Sequence, residues 1–97
     1  MMVGTLRVRM RVREARSLKD KRQVVRSILD RLRSAFSVAA AEVDCLDEHQ
    51  VADLGIALVG PEAQPLHRQL EQIRDHLRRH PIAEYLSGQI TVDRVLD

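Results

Sequence analysis

Residues 6–29 read LRVRMRVREARSLKDKRQVVRSIL, and within them the spacing of the apolar positions changes from two to between three and four. Leu6, Val8, Met10 and Val12 alternate with Arg7, Arg9, Arg11 and Arg13. Successive side chains of an extended chain point to opposite faces, so residues 2–13 are predicted to form a strand with one apolar and one basic face. Ser17 then suits an N-cap, and Asp20 three residues on completes a capping-box-like pair and favours the positive helix end. Val25, Ile28, Leu29, Leu32 and Phe36 recur at helical spacing, which predicts an amphipathic helix over residues 18–36.

Downstream, SVAAAEVD (37–44) and QVADLGIALVG (50–60) flank the polar CLDEH (45–49) and read as a strand, a turn and a strand. Leu54, Ile56 and Leu58 share one face of the latter. Gly55 inside it marks a bulge or a close backbone approach. Gly60 and Pro61 break the chain. Leu66, Leu70, Ile73 and Leu77 predict a second helix running to Pro81, and QITVDRVL (89–96) a fourth strand. The order is β-α-β-β-α-β. Since each helix has one apolar stripe and each strand can supply one apolar face, the expected fold is α+β and ferredoxin-like. Two helices cover one face of a four-stranded antiparallel sheet, in a single domain over residues 1–97. The other sheet face stays open, and function is sought there first.

Apolar residues make up 44% of the chain, enough for a core, but Phe36 and Tyr85 are the aromatics, so Leu, Val, Ile, Met and Ala must build it. Uncharged runs such as LGIALVG (54–60) are far short of the roughly 20 residues a membrane span needs. The start, MMVGTLRVRM, lacks the apolar segment of a secretory signal. Cys45, the single cysteine, cannot form an internal disulfide. The expectation is a soluble cytoplasmic protein with no membrane partner. The net charge of +2 conceals a segregation. Residues 1–36 hold eleven Lys and Arg against three acids, whereas residues 37–97 hold five Arg against eleven acids. Such asymmetry signals a basic binding surface or two halves that attract each other.

The stretch LKDKRQVVRSILDRLRSAFSVAAAEVD (18–44), followed by LGIALV (54–59), resembles the YlxP-like proteins, an uncharacterised bacterial family (domain of unknown function 503), over residues 2–60. The resemblance implies a ferredoxin-like fold and no established activity. Family members are often encoded near translation-initiation and ribosome-maturation proteins, which implies an RNA or ribosome context by association. Where the family commonly carries histidine after AEVD, this chain has Cys45, so no role of that histidine transfers here.

Two basic constellations compete for function. On the first strand, alternate residues lie about 6.7 Å apart, so Arg7, Arg9, Arg11 and Arg13 would form a ladder about 20 Å long. Guanidinium groups bind phosphate bidentately. The alternative is cross-strand ion pairing, with Asp53 and Asp93 on the same face. On the first helix, Lys19, Arg22 and Arg26 fall at i, i+3 and i+7, with Arg16 and Lys21 nearby and the helix N-terminus adding free N–H groups. Against this, Asp20 can occupy that terminus, and charged residues clothe the wet side of most helices. The helix and the ladder lie across the domain from each other. Only Arg13, Arg16, Lys19 and Lys21 can bridge them around the strand–helix edge.

Readers of single-stranded RNA with this topology stack bases on sheet aromatics, but Phe36 belongs to the helix stripe and Tyr85 precedes the last strand. RNA, if bound, is therefore expected to be recognised by shape and phosphate. The acylphosphatases share the length and element order. Their resemblance implies a glycine-bearing phosphate loop and an asparagine that positions water. Here the loop reads REARSL (13–18) and the chain contains no asparagine, which excludes that activity.

His76 and His80 have a metal-gripping i, i+4 spacing, but two ligands make no site. Cys45 and His49 crowd a turn with Asp44, Asp47 and Glu48, an acidic setting that dulls a thiol. No catalytic residue, metal, cofactor or small-molecule substrate is predicted. The leading expectation is a non-enzymatic binding module contacting structured RNA or a ribosomal subunit through the nine bases of the two constellations. The alternative is a homodimeric structural or interaction protein without a nucleic-acid ligand.

Overall fold

The computed structural model describes residues 1–96. Its elements are β1 (Met2–Arg11), α1 (Leu18–Phe36), β2 (Ala39–Asp44), β3 (Val51–Gly60), α2 (Ala63–Arg78) and β4 (Glu84–Arg94). The strands form one antiparallel sheet in the order β2-β3-β1-β4, with both helices against one face. This is the ferredoxin-like arrangement. No helix among the described residues is long and apolar enough to cross a membrane.

Period two decides which side chains meet the helices. Leu6, Val8 and Met10 of β1 and Leu54 and Ile56 of β3 are buried beneath Val25, Ile28 and Leu32 of α1 and Leu70, Ile73 and Leu77 of α2. Each buried aliphatic contributes roughly 1.5–3 kcal/mol, and their number stands in for the missing aromatics. The register sets Leu6 opposite Ile56 and Val8 opposite Leu54 on this face. On the open face, Arg7 lies opposite Gly55 and Arg9 opposite Asp53. Gly55 is a close approach: a Cβ there would lie 2.7 Å from Val43 Cγ1. The bulge is instead in β2, between Glu42 and Asp44.

Local chemistry sets the helix ends. Ser17 Oγ accepts from the Asp20 N–H at 3.1 Å, and the Asp20 carboxylate accepts from the Arg16 N–H at 3.0 Å. That second bond falls one residue before the one a capping box uses. Ser37 ends α1 in the left-handed region, φ 53 and ψ 50, so β2 starts two residues later than the alternation suggests.

Three further boundaries differ from the sequence expectation. β1 ends at Arg11, where β3 and β4 stop flanking it, so Arg13 is not a rung of the strand. α2 stops at Arg78, and the next N–H groups, of Arg79 and His80, turn back to the carbonyls of His76 and Leu77 before Pro81. β4 begins at Glu84, so Tyr85 lies inside it. A register shift skips Leu86 between Ser87, opposite Arg9, and Tyr85, opposite Met10. That irregularity breaks the alternation and hides the start of the strand.

Candidate nucleic-acid interface

The β1 arginines form an ion-paired network. Arg9 donates from Nε to Asp53 Oδ1 at 2.8 Å and from Nη2 to Oδ2 at 3.2 Å. Arg7 donates from Nη2 to Asp53 Oδ2 at 3.0 Å and to Asp44 Oδ2 at 3.3 Å. The Asp53 side chain is 2% exposed, while those of Arg7 and Arg9 remain about half exposed, at 59% and 49%. The Arg9 hydrogen bonds hold the Asp53 carboxyl below its usual range; burial opposes this and Arg7 assists. Reciprocally, the Asp53 hydrogen bond raises the Arg9 guanidinium above its ordinary value. Asp53 thus neutralises the row as the sequence alternative allowed. Asp93 does not, because the register sets it opposite Val3 at the far end of the sheet.

Arg13, off the strand, donates from Nε to Glu84 Oε2 at 2.7 Å. That bond pulls the Glu84 carboxyl down, against some desolvation, with the charges of Arg13 and Arg11 adding. Arg11 lies opposite Glu84 in the ladder. Four arginines therefore share the face with Asp44, Asp53 and Glu84. Arg7, Arg9 and Asp53, with Ser87, Gly88 and Gln89 of β4, line a hollow of about 280 Å³. Its walls offer N–H and O–H donors, but the two guanidinium charges are already matched by Asp44 and Asp53.

Lys21 is not on the surface. Its side chain is fully buried and donates to Glu42 Oε2 at 2.8 Å and to the carbonyls of Cys45, Leu46 and Val51. It cannot reach a phosphate in this conformation, which corrects the expectation that it bridges the strand–helix edge. The sequence held the signal: Lys21 stands four residues before Val25 and seven before Ile28, in the buried stripe of α1.

The other α1 bases remain. Arg16, Lys19, Arg22 and Arg26 are exposed, and none has an ion pair among the described residues. Arg26 and Arg31 flank a shallow depression of about 670 Å³ along the outer helix, floored by Gln23, Ser27, Asp30 and Ser34. Arg31 was not singled out from the sequence, although Gln23, Ser27, Asp30 and Ser34 follow a helical spacing that places it beside them. These bases lie on the helix layer, and Arg7, Arg9 and Arg11 on the opposite sheet face. The two constellations are not one groove.

Other chemistry-bearing residues are engaged elsewhere. The His80 Nδ1 accepts from the N–H groups of Ile82 and Ala83, at 3.2 and 2.9 Å, and His76 meets Phe36 edge-on with 5.6 Å between centroids. Both rings serve packing. Arg78 lies 5.0 Å over the Tyr85 ring, which packs against the core. Neither aromatic of the chain is on the open sheet face, as base stacking there would require. Asp44, Cys45 and Asp53 bring their ligand atoms within 4.8 Å of one another, a grouping the sequence did not suggest. A cation there would have to displace Arg7 and Arg9 from both carboxylates. Partial burial, then Asp53, Glu48 and Asp44, push the Cys45 thiol up.

A ferredoxin-like sheet with ion-paired arginines on its open face, and a helix layer on which Arg16, Lys19, Arg22 and Arg26 are exposed without an ion pair among the described residues, defines a small α+β protein. The chain belongs to the family described as protein of unknown function (DUF503), whose model matches residues 3–90. It is similar to the uncharacterized protein YlxP of Bacillus subtilis (strain 168), with 29% identity over 83 residues, covering 86% of this chain and 90% of that protein. The likeness read over residues 2–60 thus continues through α2 and into β4.

Proposed function

We propose that this protein is a non-enzymatic cytoplasmic binding module that contacts structured RNA or a ribosomal particle through phosphate-directed bases on α1. The observation that carries the reading is a contrast. Arg7, Arg9, Arg13 and Lys21 each hold a carboxylate, whereas Arg16, Lys19, Arg22 and Arg26 are exposed without one among the described residues. A basic residue in a first helical turn opposes the helix dipole, so Lys19 costs helix stability at that end. A phosphate backbone would reverse that penalty and gain from the N–H groups of the same terminus. The reading moves the centre of the footprint from the strand–helix edge, where Arg13 and Lys21 are engaged by carboxylates, onto α1. Arg11 and the outer N–H groups of Arg7 and Arg9 are left as a secondary contact. The raised thiol of Cys45 is a poor nucleophile, which favours binding over catalysis.

Filter binding to structured rRNA fragments across a salt series tests this. Three or four phosphate contacts predict a slope of log K against log salt of about −3. The Lys19→Glu, Arg22→Glu, Arg26→Glu triple variant is expected to lose at least tenfold in affinity at low salt, while Arg13→Gln loses little. Absence of binding by the wild type at low salt, or binding unchanged in the triple variant, overturns the reading.

A further inference from the structure

The two edges of the sheet are treated differently. The β2 edge is six residues long and bulged at Val43. Short, irregular edges resist pairing with other chains. The β4 edge is 11 residues long, and from Ser87 to Arg94 its register with β1 is unbroken. It carries no proline and no lysine. Along an antiparallel edge, alternate residues point both N–H and C=O away from the sheet, so Ser87–Asp93 offers a row of outward-facing backbone groups.

Its helix-side residues are also unfinished. Ile90 and Val92 pack against the core but stay only partly buried. Beside Val92, a hollow of about 520 Å³ opens between the strand and α2, lined by Ala63, Gln64, His67, Arg68 and Glu71. Its rim holds opposite charges one helical turn apart. Arg68 has no ion pair among the described residues, while Glu71 meets His67 at 2.8 Å and Arg74 at 3.7 Å.

We propose that β4 pairs with β4 of a second copy of this chain, antiparallel about a two-fold axis at Thr91, making one eight-stranded sheet. The commitment to a second copy rests on self-complementarity. About that axis Ile90 faces the partner's Val92, so the two half-buried apolar pairs close over each other. On the open face, Gln89 faces the partner's Asp93 and no like charges stand opposite. The α2 helices come side by side with opposite polarity, about 10 Å apart when each sits between β1 and β4, the spacing of packed helices. Arg68 of each then faces Glu71 of the other, the reciprocity an isologous interface requires. This inference is independent of the RNA reading, since the bases of α1 lie over β2 and β3 at the opposite side of the molecule.

Sedimentation equilibrium of the full chain tests it, with hydrogen exchange of the β4 amides alongside. The expected mass is twice 11.1 kDa at tens of micromolar, falling to 11.1 kDa in Thr91→Asp, which sets two carboxylates against each other on the exposed face. Arg68→Glu is expected to weaken the dimer at least fivefold, and adding Glu71→Arg in the same chain to restore it. In the wild type, amides along Ser87–Arg94 are expected to be protected without alternation, and in Thr91→Asp every second one is expected to exchange fast. A wild type that is monomeric at millimolar concentration, or a dimer untouched by Thr91→Asp and by the Arg68 and Glu71 changes, overturns the proposal. RNA binding by a monomer would sink this inference alone, and a dimer that ignores RNA would sink the earlier one alone.

Discussion

The Nζ of Lys21 lies 2.8 Å from Oε2 of Glu42, with the lysine side chain wholly shielded from solvent. The same ammonium donates to the Cys45 carbonyl at 2.8 Å and to the Val51 carbonyl at 3.1 Å, the two ends of the β2–β3 connection. One side chain from α1 thereby fastens the loop that carries Cys45 and aligns β2 with β3. It also shows where part of the positive charge of the first third of the chain goes. It is spent on acids of the remainder, as are Arg7 and Arg9 on Asp53 and Arg13 on Glu84.

Lys21→Ala is therefore expected to destabilise the protein by about 3–5 kcal/mol, because it removes the donor that a nearly buried carboxylate and three carbonyls share. Glu42→Ala should cost less, since those carbonyls still hold the ammonium. Urea melts of the two variants check the ranking. Equal, small losses would mean that the loop is held by something else.

Asp53 links stability to acid pH. Its carboxyl is held low by the Arg9 hydrogen bonds and by Arg7 despite burial. A depressed native value means that its contribution is complete above the ordinary aspartate range, about 4, and is lost as pH falls through the native value. Asp53→Asn should cost about 2 kcal/mol at pH 7, the scale of hydrogen bonds to charged groups. The variant's stability should also vary less below pH about 4 than that of the wild type. Thermal melts from pH 2 to 7 on both proteins read this out.

His80 predicts a second, milder acid transition. Its Nδ1 accepts two backbone N–H groups at the end of α2, which requires the neutral ring. Burial, then Arg31 and His76, push its pKa below 6.5. Stability from this contact is full above about 6.5 and declines as pH drops through the lowered native value. His80→Ala should flatten the stability profile between pH 7 and 5 and lower the plateau by about 1 kcal/mol. NMR titration of the four histidines gives the shift directly. A value for His80 above 6.5 would contradict the geometry.

The element order was legible because apolar periodicity in this chain is clean. Alternation over residues 6–12 and helical spacing over residues 25–36 gave the β1–α1 unit, and Ser17 with Asp20 set the helix start to the residue. Errors fell where a local event interrupts the period. The register shift at Leu86 hid the first half of β4, and the last turn of α2 closed before Pro81 was reached. The bases of the candidate interface were half legible. Their number and their helix face could be read from spacing, but not which of them would be answered by carboxylates. Lys21 is the instructive case, since its place in the buried stripe was visible while its charge argued for the surface.

By itself, the sequence determined which residues face inward and which outward on each element. That follows from chain geometry alone: two residues per repeat in a strand and 3.6 in a helix. Tertiary structure alone decided which arginines are matched by carboxylates, because ion pairing depends on the register between strands far apart in the chain. Setting Asp53 opposite Arg9 quenches the middle of the sheet, while setting Asp93 opposite Val3 puts it out of reach. Salt screens a Coulomb interaction over about 8–10 Å in water, so the strand register decides which carboxylate an arginine meets.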